Sequence, residues 1–464
     1  MARRTYHEAM RSTSPHDPAV PPEGASALAA CSDQRPRPRE WFGHPRGLSV
    51  LFLTEMWEQF SYYGMRALLV YYMIHQLRFE QHHASLVYGV YTAFIFLTPI
   101  FGGIACDRYL GRRKSVVTGG LMMSLGHFML ASEALFYPAL GMIALGNGLF
   151  QPSLPSQIRD LYAPDDPRQG NAYYVYYVGI NLGGFLAPLI CGTLGETLGW
   201  HWGFAAAGVG MLLGLATFVL GRATLPPDPL LQPKARGGIP LDPVALRRTL
   251  RLFAGVAAAV VVFRSAYEQL GNTFALWAEQ GVDRHIGGFV IPMTWFQSLN
   301  PLFVFLFTPL LLRFRLTKGH GPDASPSTPT MALGAMTVGA GYLVLIPAAM
   351  SGGEHGTHWS WLVFALALLT LGELFILPVG LGLFGRLAPA GFAATSIAAW
   401  FGAGFAGNLA AGAVGTLWQS LSTPQFFALI ASICAVAALL LWQLRGFARS
   451  AEKPSPRSGP EASR

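Results

Sequence analysis

The stretch TEMWEQFSYYGMR, Thr54 to Arg66, lies inside an apolar run that extends from near Leu48 to Ile74. At 100° per residue, Glu55, Glu58, Gln59, Tyr62, Tyr63 and Arg66 fall within an arc of about 140° on one helical face. A charge near the centre of a bilayer costs at least ~2.5–3.5 kcal/mol, so this face cannot meet lipid. Interhelical hydrogen bonding needs one or two polar residues. Six on one face point to a water-filled cavity.

The rest of the chain agrees with a membrane setting. Its 464 residues are 52% hydrophobic and 12% charged, about half the charge of a soluble domain, which carries roughly 25%. The net charge of +8 therefore does not imply a nucleic-acid partner, and none is expected. It is expected as basic loops on one side of a bilayer. Cys31, Cys106, Cys191 and Cys434 lack CxxC spacing and a histidine partner, so neither a disulfide framework nor a metal site is expected. Leu28-Ala29-Ala30-Cys31 resembles a lipoprotein cleavage box, but nothing hydrophobic precedes it. HExxH, GxSxG and GxxxxGK[ST] are all absent, which argues against an enzyme.

Apolar runs of about 20 residues suit a membrane span, and twelve are readable. They centre near Ser61, Ala93, Met123, Gly148, Asn181, Gly210, Ser265, Leu302, Gly339, Leu371, Ala403 and Cys434. Alternate loops collect the positive charge: Arg108, Arg112, Arg113 and Lys114; Arg159 and Arg168; Arg222 to Arg251; Arg313, Arg315 and Lys318; Arg386. The opposite loops hold only Arg78 and Arg284 among lysines and arginines. Positive residues stay inside, so both termini are expected in the cytoplasm. The expected division is a disordered arm (1–46), a six-helix bundle (47–221), a cytoplasmic linker (222–249), a second six-helix bundle (250–446) and a disordered tail (447–464). The arm and tail are polar and Pro-rich.

The halves echo each other. Met56-Trp57-Glu58-Gln59-Phe60 matches Ala266-Tyr267-Glu268-Gln269-Leu270, and Phe96-Leu97-Thr98-Pro99 matches Leu306-Phe307-Thr308-Pro309. Leu161-Tyr162-Ala163-Pro164 matches Arg386-Leu387-Ala388-Pro389 in the same order. Two six-span repeats in one orientation describe a major facilitator fold, an all-α polytopic membrane protein with its site at the repeat interface. Pro152 and Pro155 in span four and Pro378 in span ten are expected to break helices at matching places. Further polar positions are Tyr173, Tyr176, Tyr177 and Asn181 in span five, Arg264 and Glu268 in span seven, Asn300 in span eight and Glu373 in span ten. His127 reads as a packed or hydrogen-bonding histidine rather than a proton relay.

HPRGLSVLFLTEMWEQFSYYGMRALLVYYM from His44, GGIACDRYLGRRK from Gly102 and YYVGINLGG from Tyr176 resemble the proton-dependent oligopeptide transporter family. So do WFQSLNPLF from Trp295 and LGELFILPVGL from Leu371. The likeness runs from about Gly43 to Gly415. It implies import of di- and tripeptides with protons as the coupling ion and no other cofactor. By motif, Glu55 and Glu58 would be proton-linked carboxylates, with Glu268 and Glu373 as further acidic positions. Tyr62, Tyr63, Arg66, Tyr176 and Trp400 would line the substrate site, and Asn181 and Asn300 would bond the peptide backbone. Glu373 would meet the peptide's amino group. Tyr88 and Tyr91 both remain candidates for a pocket tyrosine. Asp107, Arg108, Gly111, Arg112 and Arg113 fit the facilitator loop motif.

Three positions depart from the family pattern. Gln59 stands at the arginine of ExxER, Gln151 at the lysine of span four, and Leu377 where serine is common. The two glutamines remove cations beside Glu55 and Glu58 and can hydrogen-bond neutral carboxylic acids instead. Altered proton coupling is therefore expected, and Arg66 becomes the main partner for a substrate carboxylate. A carrier or facilitator for amine-like molecules without a carboxylate, or a non-transporting receptor built on the same fold, is the alternative. A monomer is expected, and the short loops point to a bacterial inner membrane.

Overall fold

The computed structural model describes residues 40–163, 166, 168–226, 243–317, 327–352, 356–388 and 393–452. Cys31, Pro164, Lys318 and Pro389 lie outside these, as do 1–39 of the arm, 227–242 of the linker and 453–464 of the tail.

Twelve long helices are described. They are α1 (Arg46–Tyr71), α2 (Gln81–Ala105), α3 (Arg112–Met129), α4 (Phe136–Ser153), α5 (Gln169–Ala187) and α6 (Trp200–Gly221). The second set is α7 (Pro243–Tyr267), α8 (Leu299–Thr317), α9 (Ser327–Ser351), α10 (Trp359–Arg386), α11 (Ala393–Gly415) and α12 (Thr423–Gln443). Each of the twelve expected span centres falls within one of them. Eight are long and apolar enough to cross a membrane by themselves. The other four, α1, α3, α4 and α8, carry polar residues such as Glu58, His127, Gln151 and Asn300.

In the first group α1 packs on α5 and α6, and α3 on α4 and α6. In the second, α9 lies between α10 and α12, and α7 packs on α11 and α12. The groups meet along α2 with α11 and α5 with α8. Small residues allow the closest approaches, as small residues do between membrane helices generally. A Cβ on Gly102 of α2 would come within 1.9 Å of the Gly148 carbonyl oxygen of α4. His127 is fully buried, and neither ring nitrogen has a hydrogen-bond partner among the described residues, so it is a packed side chain.

Several boundaries differ from the sequence reading. Glu40–Trp41 pairs with His44–Pro45 across a turn whose Phe42 and Gly43 have positive φ. Arg168 fixes this turn through Glu40 at 3.1 Å and the Gly43 carbonyl at 2.9 Å, so residues 40–45 of the expected arm are structured. Helix α7 starts at Pro243, inside the stretch assigned to the linker, and a short helix Arg445–Glu452 runs into the expected tail.

The proline symmetry fails. Helix α4 ends at Ser153 and gives way to 3₁₀ turns at Pro155–Gln157 and Arg159–Leu161. Helix α10 runs unbroken through Pro378. A proline removes one backbone donor, which neighbouring groups in a membrane helix can offset; two prolines three residues apart remove two. The sharper break is in α7, which becomes a 3₁₀ turn at Glu268–Gly271 and resumes as Thr273–Gly281.

Candidate functional site

A cavity of about 310 Å³, lined by polar and apolar side chains, lies between the two groups of helices, and all six residues of the opening face line it. On the first-group wall the Gln59 amide donates to Glu55 Oε1 at 3.2 Å. Tyr176 is buried and does not line the cavity. Asn147 meets Glu58. Gln151 lines the cavity one turn beyond Asn147, but its Oε1 is buried without a hydrogen-bond partner among the described residues. Of the two glutamines, Gln59 thus hydrogen-bonds a carboxyl as the donor, and the Gln151 Oε1 accepts no hydrogen bond among the described residues.

The break in α7 places Glu268 at the boundary between the groups. Its Oε2 accepts from Arg66 Nη2 at 2.6 Å and its Oε1 from Arg264 Nη1 at 2.6 Å. One carboxylate thus holds two guanidiniums, one from each group. Arg66 also donates through Nε to the Tyr88 hydroxyl at 2.8 Å. That separates the two tyrosine candidates, because the Tyr91 hydroxyl is buried without a partner among the described residues. Arg264 lies 4.3 Å over the Phe96 ring. Arg66, expected as the partner of a substrate carboxylate, is thus already paired with an acid of the protein.

The break is held in place by uncharged side chains. Ser85 donates to Asn272 Oδ1 at 2.9 Å, and Gln269 donates to the Ala411 carbonyl at 2.8 Å. Opposite, Glu373 Oε2 accepts from the Tyr267 hydroxyl at 2.5 Å and from Asn300 Nδ2 at 2.8 Å. Asn300 also reaches Thr370 Oγ1 at 3.0 Å. Glu55, Glu58 and Glu373 have no ion-pair partner among the described residues, whereas Glu268 has two. Leu377 lines the cavity.

Other expected site residues fall elsewhere. Trp400 does not line the cavity; it is buried in the second group's core, 5.5 Å from Phe384. Asn181 turns back on its own helix and donates to the Tyr177 carbonyl at 2.9 Å. The facilitator loop ties helix ends together. Asp107 and Arg108 lie in a π-helical turn, Gly111 has φ 75°, and Arg112 pairs with Asp160. Arg113 donates to the carbonyls of Leu225 at 3.0 Å and Pro226 at 2.8 Å. Beside this end, hydrogen bonds from the Arg168 side chain and backbone hold the Asp166 carboxyl below its ordinary range.

Asn147, Tyr267 and Thr370 were missed in the sequence. Spacing could have found two of them. Arg264, Tyr267, Glu268 and Gly271 follow i, i+3, i+4, i+7, and Asn147 precedes Gln151 by four residues. Thr370 carries no such signal.

Hydrogen bonds between the groups cluster at the end away from the arginine-rich loops. Glu196 accepts from the backbone N–H groups of Met293 (3.0 Å) and Thr294 (2.9 Å) and from the Thr294 hydroxyl (2.6 Å). Trp295 donates to Thr193 at 2.8 Å, Tyr71 to the Ala275 carbonyl at 3.1 Å and Gln81 to the Gly415 carbonyl at 2.9 Å. His75 and Glu279 meet at 2.8 Å. Among the described residues no group of three or more His, Cys, Asp or Glu side chains is placed to hold a metal ion.

The model of the POT family matches residues 113–235 and 242–429. The chain belongs to the POT family. It is therefore an integral membrane transporter of the major facilitator type, not an enzyme. The chain is 34% identical to the uncharacterized transporter YclF of Bacillus subtilis (strain 168), with 89% of this chain and 96% of that one covered. It is 32% identical to the peptide transporter YePEPT of Yersinia enterocolitica subsp. palearctica serotype O:3 (strain YE-P4), over 88% of this chain and 96% of that one. Among solved POT structures, a point mutant of peptide transporter POT in complex with alafosfalin is similar, with a TM-score of 0.81 and 29% identity. That match covers 90% of this chain and 98% of the other. In this POT family member the cavity sits at the interface of the two groups, where transporters built from repeats hold their substrates.

Proposed function

We propose that this POT family member imports di- and tripeptides or peptide-like compounds by alternating access, with protons as the coupling ion and a coupling altered by Gln59 and Gln151. The observation that carries this reading is Glu268 holding Arg66 and Arg264 while Glu373 faces them across the same cavity. A dipeptide is a zwitterion with an amine at one end and a carboxylate at the other, and this wall has an acid at one side and two guanidiniums at the other. Protonation of Glu268 would release both arginines for a substrate carboxylate. The same proton weakens one of the bonds between the two groups, so loading and rocking are linked through one side chain. Peptide transporters among the relatives support the substrate class.

Positive residues face the cytoplasm, which puts both termini there and the arginine-rich end inside, in a bacterial inner membrane. The bonds at Glu196, Tyr71, Gln81 and His75 then close the outer side, and the cavity belongs to an inward-facing state. The chain acts as a monomer in this reading, because each half supplies one wall of the cavity.

An amine-like substrate without a carboxylate is the second reading. It is favoured by the saturation of both cavity arginines by Glu268, which leaves carboxyls as the available acceptors. Uptake of a labelled dipeptide into proteoliposomes, with and without an inward proton gradient, tests the first. Gradient-driven accumulation inhibited by dipeptides supports peptide import. Equilibration without accumulation removes proton coupling. Uptake of a dipeptide amide but not of the free acid moves the assignment to amines, and binding without flux makes the protein a receptor.

A further inference from the structure

We propose that the groove between α3 and α6 at the arginine-rich end binds one anionic phospholipid. A cavity of about 430 Å³ opens there on the outer surface of the helices, away from the transport cavity. Its wall is apolar, built by Leu110 and Val117 on one side and Phe218 and Val219 on the other. Val219 is 37% exposed and the adjoining Leu220 83% exposed, as expected of a surface that meets acyl chains rather than protein.

The mouth is cationic. Lys114 on α3 and Arg222 just past α6 both line it, and no acidic residue does. Neither the Lys114 ammonium nor the Arg222 guanidinium forms a hydrogen bond or ion pair among the described residues. Arg113, the third cation at the groove, is already engaged. Its Nη2 donates to the Leu225 and Pro226 carbonyls and so pins the chain leaving α6 beside α3. Arg113 is thereby a positioning residue, and Lys114 and Arg222 are the pair that face an incoming group.

Two free cations at the end of an apolar groove, at the level where a transmembrane helix leaves the bilayer, match a phosphodiester of net negative charge with its acyl chain below. A zwitterionic lipid brings its own ammonium to the same cations and loses most of the attraction. Free phosphate gains nothing from the apolar wall. The proposal is independent of the transported substrate, because none of these residues lines the transport cavity.

Native mass spectrometry of the full-length protein with added phosphatidylglycerol or phosphatidylethanolamine tests it. The wild type should retain one phosphatidylglycerol in preference to phosphatidylethanolamine. Lys114→Gln with Arg222→Gln should lower phosphatidylglycerol retention roughly 30-fold, about fivefold for each cation, with phosphatidylethanolamine unchanged. Val219→Trp, which fills the apolar wall and leaves both cations, should lower it as well. Size-exclusion profiles identical to wild type establish that the variants are folded. The proposal is overturned by unchanged phosphatidylglycerol retention in the double variant, or by an equal loss in an Arg445→Gln, Arg449→Gln control at another basic surface. Displacement of the lipid by millimolar inorganic phosphate also overturns it, since that would make the groove a phosphate site.

Discussion

Arg66 and Glu268 meet at 2.6 Å across the boundary between the two helical groups, although 202 residues separate them in the chain. Glu268 also neutralises Arg264 from its own helix at 2.6 Å. Both glutamate oxygens are committed, and both arginines depend on the same acid. The relationship couples the charge state of one side chain to the contact between halves.

Glu268→Gln should therefore do more than remove one bond. Breaking a buried pair by removing one partner costs about 3–5 kcal/mol, because the remaining charge is left uncompensated. Two guanidiniums are left here. The expected result is a lower melting midpoint in detergent and at least a tenfold loss of gradient-driven dipeptide uptake. Wild-type uptake by the folded variant would show that Glu268 is not part of the coupling.

Restoring the family's cations tests the role of the two glutamines. Gln59→Arg together with Gln151→Lys places positive charge beside Glu55 and Glu58 and should increase the dependence of uptake on the proton gradient. The readout is the ratio of uptake with and without the gradient. A ratio equal to wild type would mean that the glutamines do not alter coupling.

The closure at the far end from the arginine-rich loops should hinge on Glu196. It accepts three hydrogen bonds from Met293 and Thr294, and bonds to a charged group contribute about 1.5–3 kcal/mol each. Glu196→Ala should shift the population toward a state opened at that end. Spin labels at His201→Cys and His285→Cys, in a Cys31→Ser background, should report a longer distance component in the variant. An unchanged distance distribution would place the closure in the other contacts.

Packing between α2 and α4 leaves no room at Gly102, where an added Cβ would meet the Gly148 carbonyl oxygen. Gly102→Val should cost at least the ~1–3 kcal/mol of an overpacked core and lower the melting midpoint by several degrees. Gly141 has nothing within 4 Å of an added Cβ. Gly141→Ala should leave the midpoint unchanged or raise it slightly, since alanine loses less backbone entropy on folding.

Much of this molecule was legible along the chain. The low charge, the twelve apolar runs and the single polar face from Glu55 to Arg66 require a membrane protein with an internal cavity, because lipid excludes charge and helical periodicity fixes which residues share a face. That reasoning extends to Arg264, Glu268, Asn300 and Glu373, all of which line the cavity. It failed at Asn181, which turns onto its own backbone, while Trp400, placed in the site by the family resemblance alone, lies in a core. It also failed at Pro378, whose helix is continuous. Periodicity is a local property, so it says which way a side chain leaves its helix and not what it meets there. Whether Arg66 is held by Glu268, and whether Glu373 awaits an amine or accepts from Tyr267 and Asn300, depend on how helices far apart in sequence dock. Those pairings belong to the tertiary structure, because their energy exists only once both halves are assembled around the cavity.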